Sequence, residues 1–136
     1  MRKELSKSVE DYLETILKIV REKGYARVKD IAEELDVRPA SVTEMLNKLS
    51  SEGLVNYEKY SGVTLTDEGR ERAEKINRVH ETLKKLLILI GVPEEIAEED
   101  ACKIEHVLHE ETVKKIVKLV EAMESNENNL SGDSSL

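Results

Sequence analysis

The stretch DACKIEHVLHEE, Asp100 to Glu111, holds the only cysteine of this chain and two of its three histidines, set among carboxylates. If it is helical, offsets of three, four and seven residues place Cys102, Glu105, His106 and His109 on one stripe. A thiolate, a carboxylate and an imidazole from little more than one turn suit a first-row divalent metal. One helix supplies too few donors; the further candidates are Asp11 and Glu14, three residues apart near the N-terminus, and His80. Oxygen donors favour Mn(II) or Fe(II), and a thiolate shifts the preference toward Fe(II), Co(II) or Zn(II). Each donor also has a plainer reading. Taken singly, Cys102 is most often a small buried hydrophobe, Asp11, Glu14 and Glu105 are most often solvated helix faces, His80 reads also as a packed histidine, and His109 reads as a partly exposed surface residue rather than a peripheral ligand. HVLHE matches neither H-E-x-x-H nor H-x-x-E-H, so nothing points to a zinc hydrolase.

These donors need helices to position them. From Ser8 to Lys23, Val9, Tyr12, Leu13, Ile16 and Val20 recur at helical spacing, and Gly24 follows as a stop. Asp11 and Glu14 lie off that stripe and should face solvent unless something docks over them. His80 falls on a long helix opened by Thr66 and Asp67 and running to about Ile90, with Ile76, Leu83 and Leu87 on its apolar side, until Gly91 and Pro93 break it. A helix from about Pro93 to His109 carries the cysteine stretch, and HEETVKKIVKLVEAM makes a last one. The tail from Ser125 has no periodicity and reads as disordered.

Between the first and the long helix stand two short ones. VKDIAEELDV buries Ile31, Ala32 and Leu35, and RPASVTEMLNKLSSEG starts with Pro39 and stripes Val42, Met45, Leu46 and Leu49. So tight a connection reads as a helix-turn-helix. LVNYEKYSGVTLT then alternates apolar and polar residues around Tyr60-Ser61-Gly62, a small hairpin that completes a winged helix. The second helix of such a motif enters the major groove, where Arg38, Pro39, Ala40, Ser41 and Thr43 have the side chains base edges require. Arg27, Lys29, Lys48 and the wing's Lys59 are candidates for phosphates, with Lys3 and Lys7 as a flexible basic arm. Tight helix-helix turns also occur without nucleic acid nearby, and Glu44 is an unhelpful charge on this helix.

Of the 136 residues, 39% are hydrophobic and 37% charged, with no Trp or Phe, the balance of amphipathic helices. No apolar run approaches the roughly 18 to 20 residues of a membrane span, and MRKELSKSVEDY is no signal peptide, so a cytoplasmic protein with no membrane partner is expected. A single cysteine forms no internal disulfide. The net charge of −8 argues against indiscriminate nucleic-acid binding, yet it is uneven: residues 1–70 carry 12 Lys/Arg against 14 Asp/Glu, and residues 71–136 carry 9 against 15. No nucleophile motif, glycine-rich phosphate loop or separate substrate domain supports an enzyme or a small organic substrate. The expected fold is mainly α, with a winged helix-turn-helix and its β-hairpin wing over residues 1–70, an α-helical domain over 71–124 and a tail over 125–136.

Five blocks together resemble the diphtheria-toxin-repressor family of metal-dependent transcriptional regulators: SVEDYLETI, EKGYARVKDIAEELDVRPASVTEML, NYEKYSGVTLTDEG, RVHETLKKLL and DACKIEHVL. They occur in the family order from about Ser8 to Met123 and are most similar to its manganese-regulator branch. The resemblance implies a homodimer that binds double-stranded operator DNA and represses metal-uptake genes when metal is replete. Carried over residue by residue, it implies Asp11, Glu14, His80, Cys102, Glu105 and His106 as ligands. These would hold Mn(II) or Fe(II), up to two ions per protomer, with Co(II) or Zn(II) substituting in vitro. Cys102 departs from the manganese branch, which usually has Glu there, and matches the iron branch. Asp11 and Glu14 depart from the iron branch, as do Lys84 and Glu98, which stand where that branch has a carboxylate and a histidine of its ancillary site. The chain resembles the short members that lack a third, SH3-like domain.

The mechanism this implies is that metal joins the first helix to the long helix and to the Cys102–His106 segment, so that the two reading heads of a dimer are held at half-site spacing. The alternative is a winged-helix DNA-binding or interaction module that senses no metal.

Overall fold

The computed structural model describes residues 6–59 and 61–134, with 127–134 described by backbone alone. Their order is α1 (Lys7–Lys23), α2 (Val28–Leu35), α3 (Pro39–Ser51), β1 (Val55–Glu58), β2 (Gly62–Leu65), α4 (Asp67–Leu89), α5 (Glu94–Ile104) and α6 (Glu110–Ser134). The mainly helical fold with one hairpin is the one the periodicities predict. The chain divides into two compact units, Met1–Asn77 and Arg78–Leu136, with the boundary inside α4.

In the first unit, Ser6 caps α1 by accepting the Val9 N–H at 3.2 Å, and Gly24 closes it in the left-handed region with its N–H on the Val20 carbonyl. Lys7 is therefore the first residue of a helix and not part of a flexible arm; Lys3 lies outside the described residues. The α2–α3 turn passes through Asp36 at φ 54, and Pro39 opens α3 after the extended Arg38. Leu13, Ile16, Ile31, Val42, Leu46, Leu49, Leu54 and Val63 bury together as one core. Removing such apolar area from water contributes about 25 cal/mol per Å².

The wing pairs Val55 with Leu65 and Tyr57 with Val63, antiparallel. Its inner strand is tied back to the start of the helix-turn-helix by two backbone bonds, Ala26 N–H to Val63 O at 2.9 Å and Val63 N–H to Ala26 O at 2.7 Å. Gly62 has φ 98, and a Cβ there would stand 2.8 Å from the Tyr25 ring. Thr66 then starts α4, accepting the Gly69 N–H and donating to the Gly53 carbonyl at 2.7 Å.

In the second unit, Leu83, Ala97, Ala101 and Val120 are buried, while Ile88, Ile90, Ile96, Val107 and Leu119 stay exposed. The ion pair Lys85–Glu124 at 3.3 Å joins α4 to α6. Two boundaries differ from the expected ones. The helix expected to run to about His109 stops at Ile104, where the Glu105 N–H still reaches Ala101 O but Val107 N–H turns tightly to Ile104 O. The His109 carbonyl accepts the Val113 N–H and Glu110 and Glu111 fill the first turn of α6, placing acidic side chains at a helix start, where they stabilise it. The last helix, expected to end near Met123, continues to Ser134, since SNENNLS contains no proline and extending a formed helix is far easier than nucleating one. Ser135 and Leu136 lie outside the described residues. No helix among the described residues is long and apolar enough to cross a membrane.

Candidate metal centre and nucleic-acid interface

The end of α5 changes where its donors point. The helix stops at Ile104, with Glu105 its C-cap still in helical backbone and His106 in the turn beyond, so the stripe does not run on from Cys102 to His109. The Glu105 and His106 side chains are nearly sealed from solvent, at 1% and 4% exposure, whereas Cys102 on α5 and His109 before α6 are exposed. The expected single stripe is thereby corrected to a buried pair and an exposed pair.

Glu105 lies between two imidazoles. Its Oε2 is 3.2 Å from His80 Nδ1, and its Oε1 is 3.3 Å from His106 Nε2. Both Glu105 oxygens and His80 Nδ1 are buried and make no aligned hydrogen bond among the described residues. In the metal-free protein a protonated His80 answers the Glu105 charge as an ion pair, and a bound cation could take that proton's place. A divalent cation would be a chemically fitting occupant, because carboxylate and imidazole are its ordinary donors.

On α1 of the other unit, Asp11 and Glu14 are half-buried and not on an open solvent face, and they offer carboxylate oxygens within 4.8 Å of each other. Two acids three residues apart on one helix face the same side and could share a cation.

The far side of the His80 ring has partners that the spacing did not single out as functional. Both Glu98 oxygens stand 3.0 Å from His80 Nε2, and Lys84 Nζ is 3.2 Å from Glu98. Glu105 foremost, and then Glu98, push the His80 pKa up to about 9 against the opposing effect of burial. Partial burial works to raise the Glu98 carboxyl, but the contacts from His80 and Lys84 outweigh it and lower the pKa.

The winged helix presents a different chemistry. Pro39, Ala40 and Ser41 are exposed in the first turn of α3, with Arg38 exposed just before them and Lys48 near its end; Thr43 is half-buried. An open cleft of about 690 Å³ is lined by Tyr25, Arg27, Lys29, Thr43, Tyr57 and Lys59, among others, and none of its lining residues is acidic. Arg27 donates to the Tyr25 hydroxyl at 2.8 Å and holds its guanidinium 5.4 Å from that ring's centre. Tyr25 and Tyr57 were missed as cleft residues; the alternation Tyr-x-Arg-x-Lys over Tyr25–Lys29 was the available signal.

The model described as "Iron dependent repressor, N-terminal DNA binding domain" matches residues 4–63, and that described as "Iron dependent repressor, metal binding and dimerisation domain" matches residues 66–130. The HTH-type transcriptional regulator MntR of Lysinibacillus sphaericus (strain C3-41) is 45% identical over 119 residues, spanning 88% of this chain and 86% of the relative. Its namesake from Geobacillus kaustophilus (strain HTA426) is 45% identical over 123 residues, spanning 90% and 87%. Among solved structures, T. acidophilum IdeR superposes with a TM-score of 0.72 at 34% identity, over 87% of this chain and 55% of that one. A manganese-dependent transcriptional repressor in complex with manganese gives 0.75 at 28% identity, over 83% and 52%. The chain thus spans about half the length of these two solved chains. It belongs to the iron-dependent repressor family of metal-dependent transcriptional regulators, which are not enzymes, with a DNA-binding domain followed by a metal-binding and dimerisation domain.

Proposed function

We propose that this chain is a repressor that binds operator DNA as a homodimer when loaded with Mn(II) or Fe(II), and so controls genes of metal uptake or homeostasis. The observation that carries this reading is the buried Glu105 carboxylate between His80 and His106, whose oxygens lack aligned hydrogen bonds among the described residues. The proposed ligands are Asp11, Glu14, His80, Cys102, Glu105 and His106, for one or two ions per protomer, with Co(II) or Zn(II) able to substitute in vitro. A bound divalent cation supplies positive charge to carboxylates that otherwise repel. Asp11 and Glu14 contribute donors from the DNA-binding unit and the other four from the dimerisation unit, so loading restricts the orientations of the reading heads. A hundredfold gain in DNA affinity then needs roughly 2.7 kcal/mol of coupling between the two ligands.

On the DNA side, Arg38, Pro39, Ala40, Ser41 and Thr43 read base edges, while Arg27, Lys29, Lys48 and Lys59 hold phosphates. The exposed Ile88, Ile90, Ile96, Val107 and Leu119 offer apolar area that a second copy of the chain would cover.

The test is fluorescence anisotropy on a metal-uptake promoter fragment under anaerobic conditions. Chelated protein is compared with protein given Mn(II), Fe(II), Co(II) or Zn(II), for the wild type and Cys102→Glu. Binding that tightens with metal, with the variant moved from Fe(II) toward Mn(II), supports the reading and identifies Cys102 as the selectivity ligand. Curves that coincide with and without every metal leave a winged-helix module that senses none.

A further inference from the structure

His80 is gripped on the side of its ring away from Glu105. Glu98, on α5, places both carboxylate oxygens 3.0 Å from Nε2. Lys84, one turn beyond His80 on α4, sets its ammonium 3.2 Å from Glu98 and 3.7 Å from Glu94. Neither Lys84 nor Glu98 belongs to the proposed ligand set. We propose that Glu98, held in place by Lys84, is a positioning residue that fixes the His80 ring for ligation. The inference rests on the reading of His80 as a metal ligand and adds what prepares it.

The ring chemistry is specific. Turning the imidazole over by 180° exchanges each nitrogen with a carbon, so Glu98 and Glu105 would both face C–H groups and lose their contacts. The Glu98 contact therefore selects one ring orientation, with Nε2–H donating to Glu98 and Nδ1 on the Glu105 side. Glu98 itself is half exposed, at 51%, and a carboxylate so placed ordinarily moves among rotamers. The Lys84 ammonium restricts that freedom and keeps the carboxylate turned toward His80 before any metal arrives. Outer-shell carboxylates of this kind orient a ligating histidine and keep its second nitrogen protonated.

The experiment compares wild type, Glu98→Ala, Glu98→Gln and Lys84→Ala. Mn(II) affinity is measured by competition with a fluorescent chelator, and the ring N–H of His80 is followed by ¹⁵N NMR in the metal-free proteins. Circular dichroism checks that helix content is kept, which the exposure of Glu98 favours. Glu98→Ala is expected to lose the protected Nε2–H signal and to weaken Mn(II) binding about 10- to 100-fold. Glu98→Gln retains an oxygen acceptor, so it should keep the N–H signal and recover most of the affinity, and Lys84→Ala should fall between. Wild-type affinity in Glu98→Ala overturns the positioning role, and so does a Glu98→Gln variant no better than Glu98→Ala, because Glu98 would then act only as a charge. A wild type that binds no Mn(II) is a separate result: it overturns the ligand reading of His80 and removes the purpose of the positioning with it.

Discussion

Glu105 Oε2 stands 3.2 Å from His80 Nδ1, both atoms buried and neither in an aligned hydrogen bond among the described residues. Replacing Glu105 by Gln keeps the shape and removes the charge. Mn(II) affinity should fall by more than the roughly 10- to 100-fold typical of an outer-shell change, since an amide is a poor substitute for a carboxylate ligand. The same variant should bring the His80 pKa down from about 9 toward its ordinary value, because Glu105 is the largest cause of the rise. A chelator competition and an NMR titration of the metal-free protein check the two effects; an unchanged affinity would remove Glu105 from the ligand set.

The raised His80 pKa has opposite consequences for the empty and the loaded protein. An imidazole ordinarily titrates near 6.5, and the contacts from Glu105 and Glu98 push His80 up to about 9 in the folded metal-free chain, against burial. The stabilisation from its charged form is therefore complete below about 6.5 and is lost as pH rises through about 9. Urea melts of the metal-free protein should show this decline. Metal needs the deprotonated nitrogen, so Mn(II) affinity should instead rise, by about tenfold per pH unit between about pH 6 and 8 from His80 alone. Isothermal titration in buffers of different ionisation enthalpy would count the released proton.

Much of this architecture was legible because its signals are local. Gly24, Pro39 and the alternation from Val55 to Leu65 act within a few residues, and the elements of the winged helix follow them, whereas the Ser6 cap that starts α1 at Lys7 was not read. The end of α5 was not legible, because Cys102, Glu105, His106 and His109 keep helical spacing across a chain that has left the helix. Periodicity reports where a helix could run, and the competing start of α6 at Glu110 decides where it stops. Lys84 and Glu98 were equally hidden as a pair serving His80. In sequence they are ordinary charges on helical faces, and only the packing of α5 beside α4 joins them through His80.

Arg27 rests on Tyr25 and lines an acid-free cleft, which is compatible with the phosphate contact proposed for it. Arg27→Ala should weaken metal-loaded binding on operator and non-operator DNA alike, and reduce the salt slope of the logarithm of affinity by about 1. Tyr25→Phe keeps the ring beneath the guanidinium and loses the hydroxyl acceptor, so its effect should be smaller than that of Arg27→Ala. Anisotropy at several salt concentrations separates the two; a loss confined to operator DNA would make Arg27 a base reader.

Gly69 packs its backbone onto the turn that precedes the wing. A Cβ at this position would lie 1.8 Å from the Leu54 carbonyl oxygen, a backbone atom already engaged by the Thr66 N–H. Neither partner is a side chain that can swing away, so α4 would have to shift. Gly69→Ala should lower stability by about 1–3 kcal/mol or more, in the range of overpacked sites. The urea midpoint would fall with its slope unchanged, and a variant as stable as wild type would show that α4 can shift freely at Leu54.

Asp11 and Glu14 distinguish two ways in which metal could switch DNA binding. Replacing both by Lys moves the charge by two units at each position and takes the formal net charge from −8 to −4. If the switch is neutralisation alone, that change substitutes for metal, and the variant should bind operator tightly in the presence of chelator. If these residues act as ligands that hold the reading heads in one orientation, lysine cannot share a cation, and the variant should bind weakly with or without Mn(II). Their proximity on α1, with carboxylate oxygens within 4.8 Å, favours the second outcome, because two adjacent acids present a donor pair and not merely diffuse charge. Operator anisotropy with chelator and with Mn(II) decides it: tight, metal-independent binding by the variant would discard the ligand account in favour of the electrostatic one.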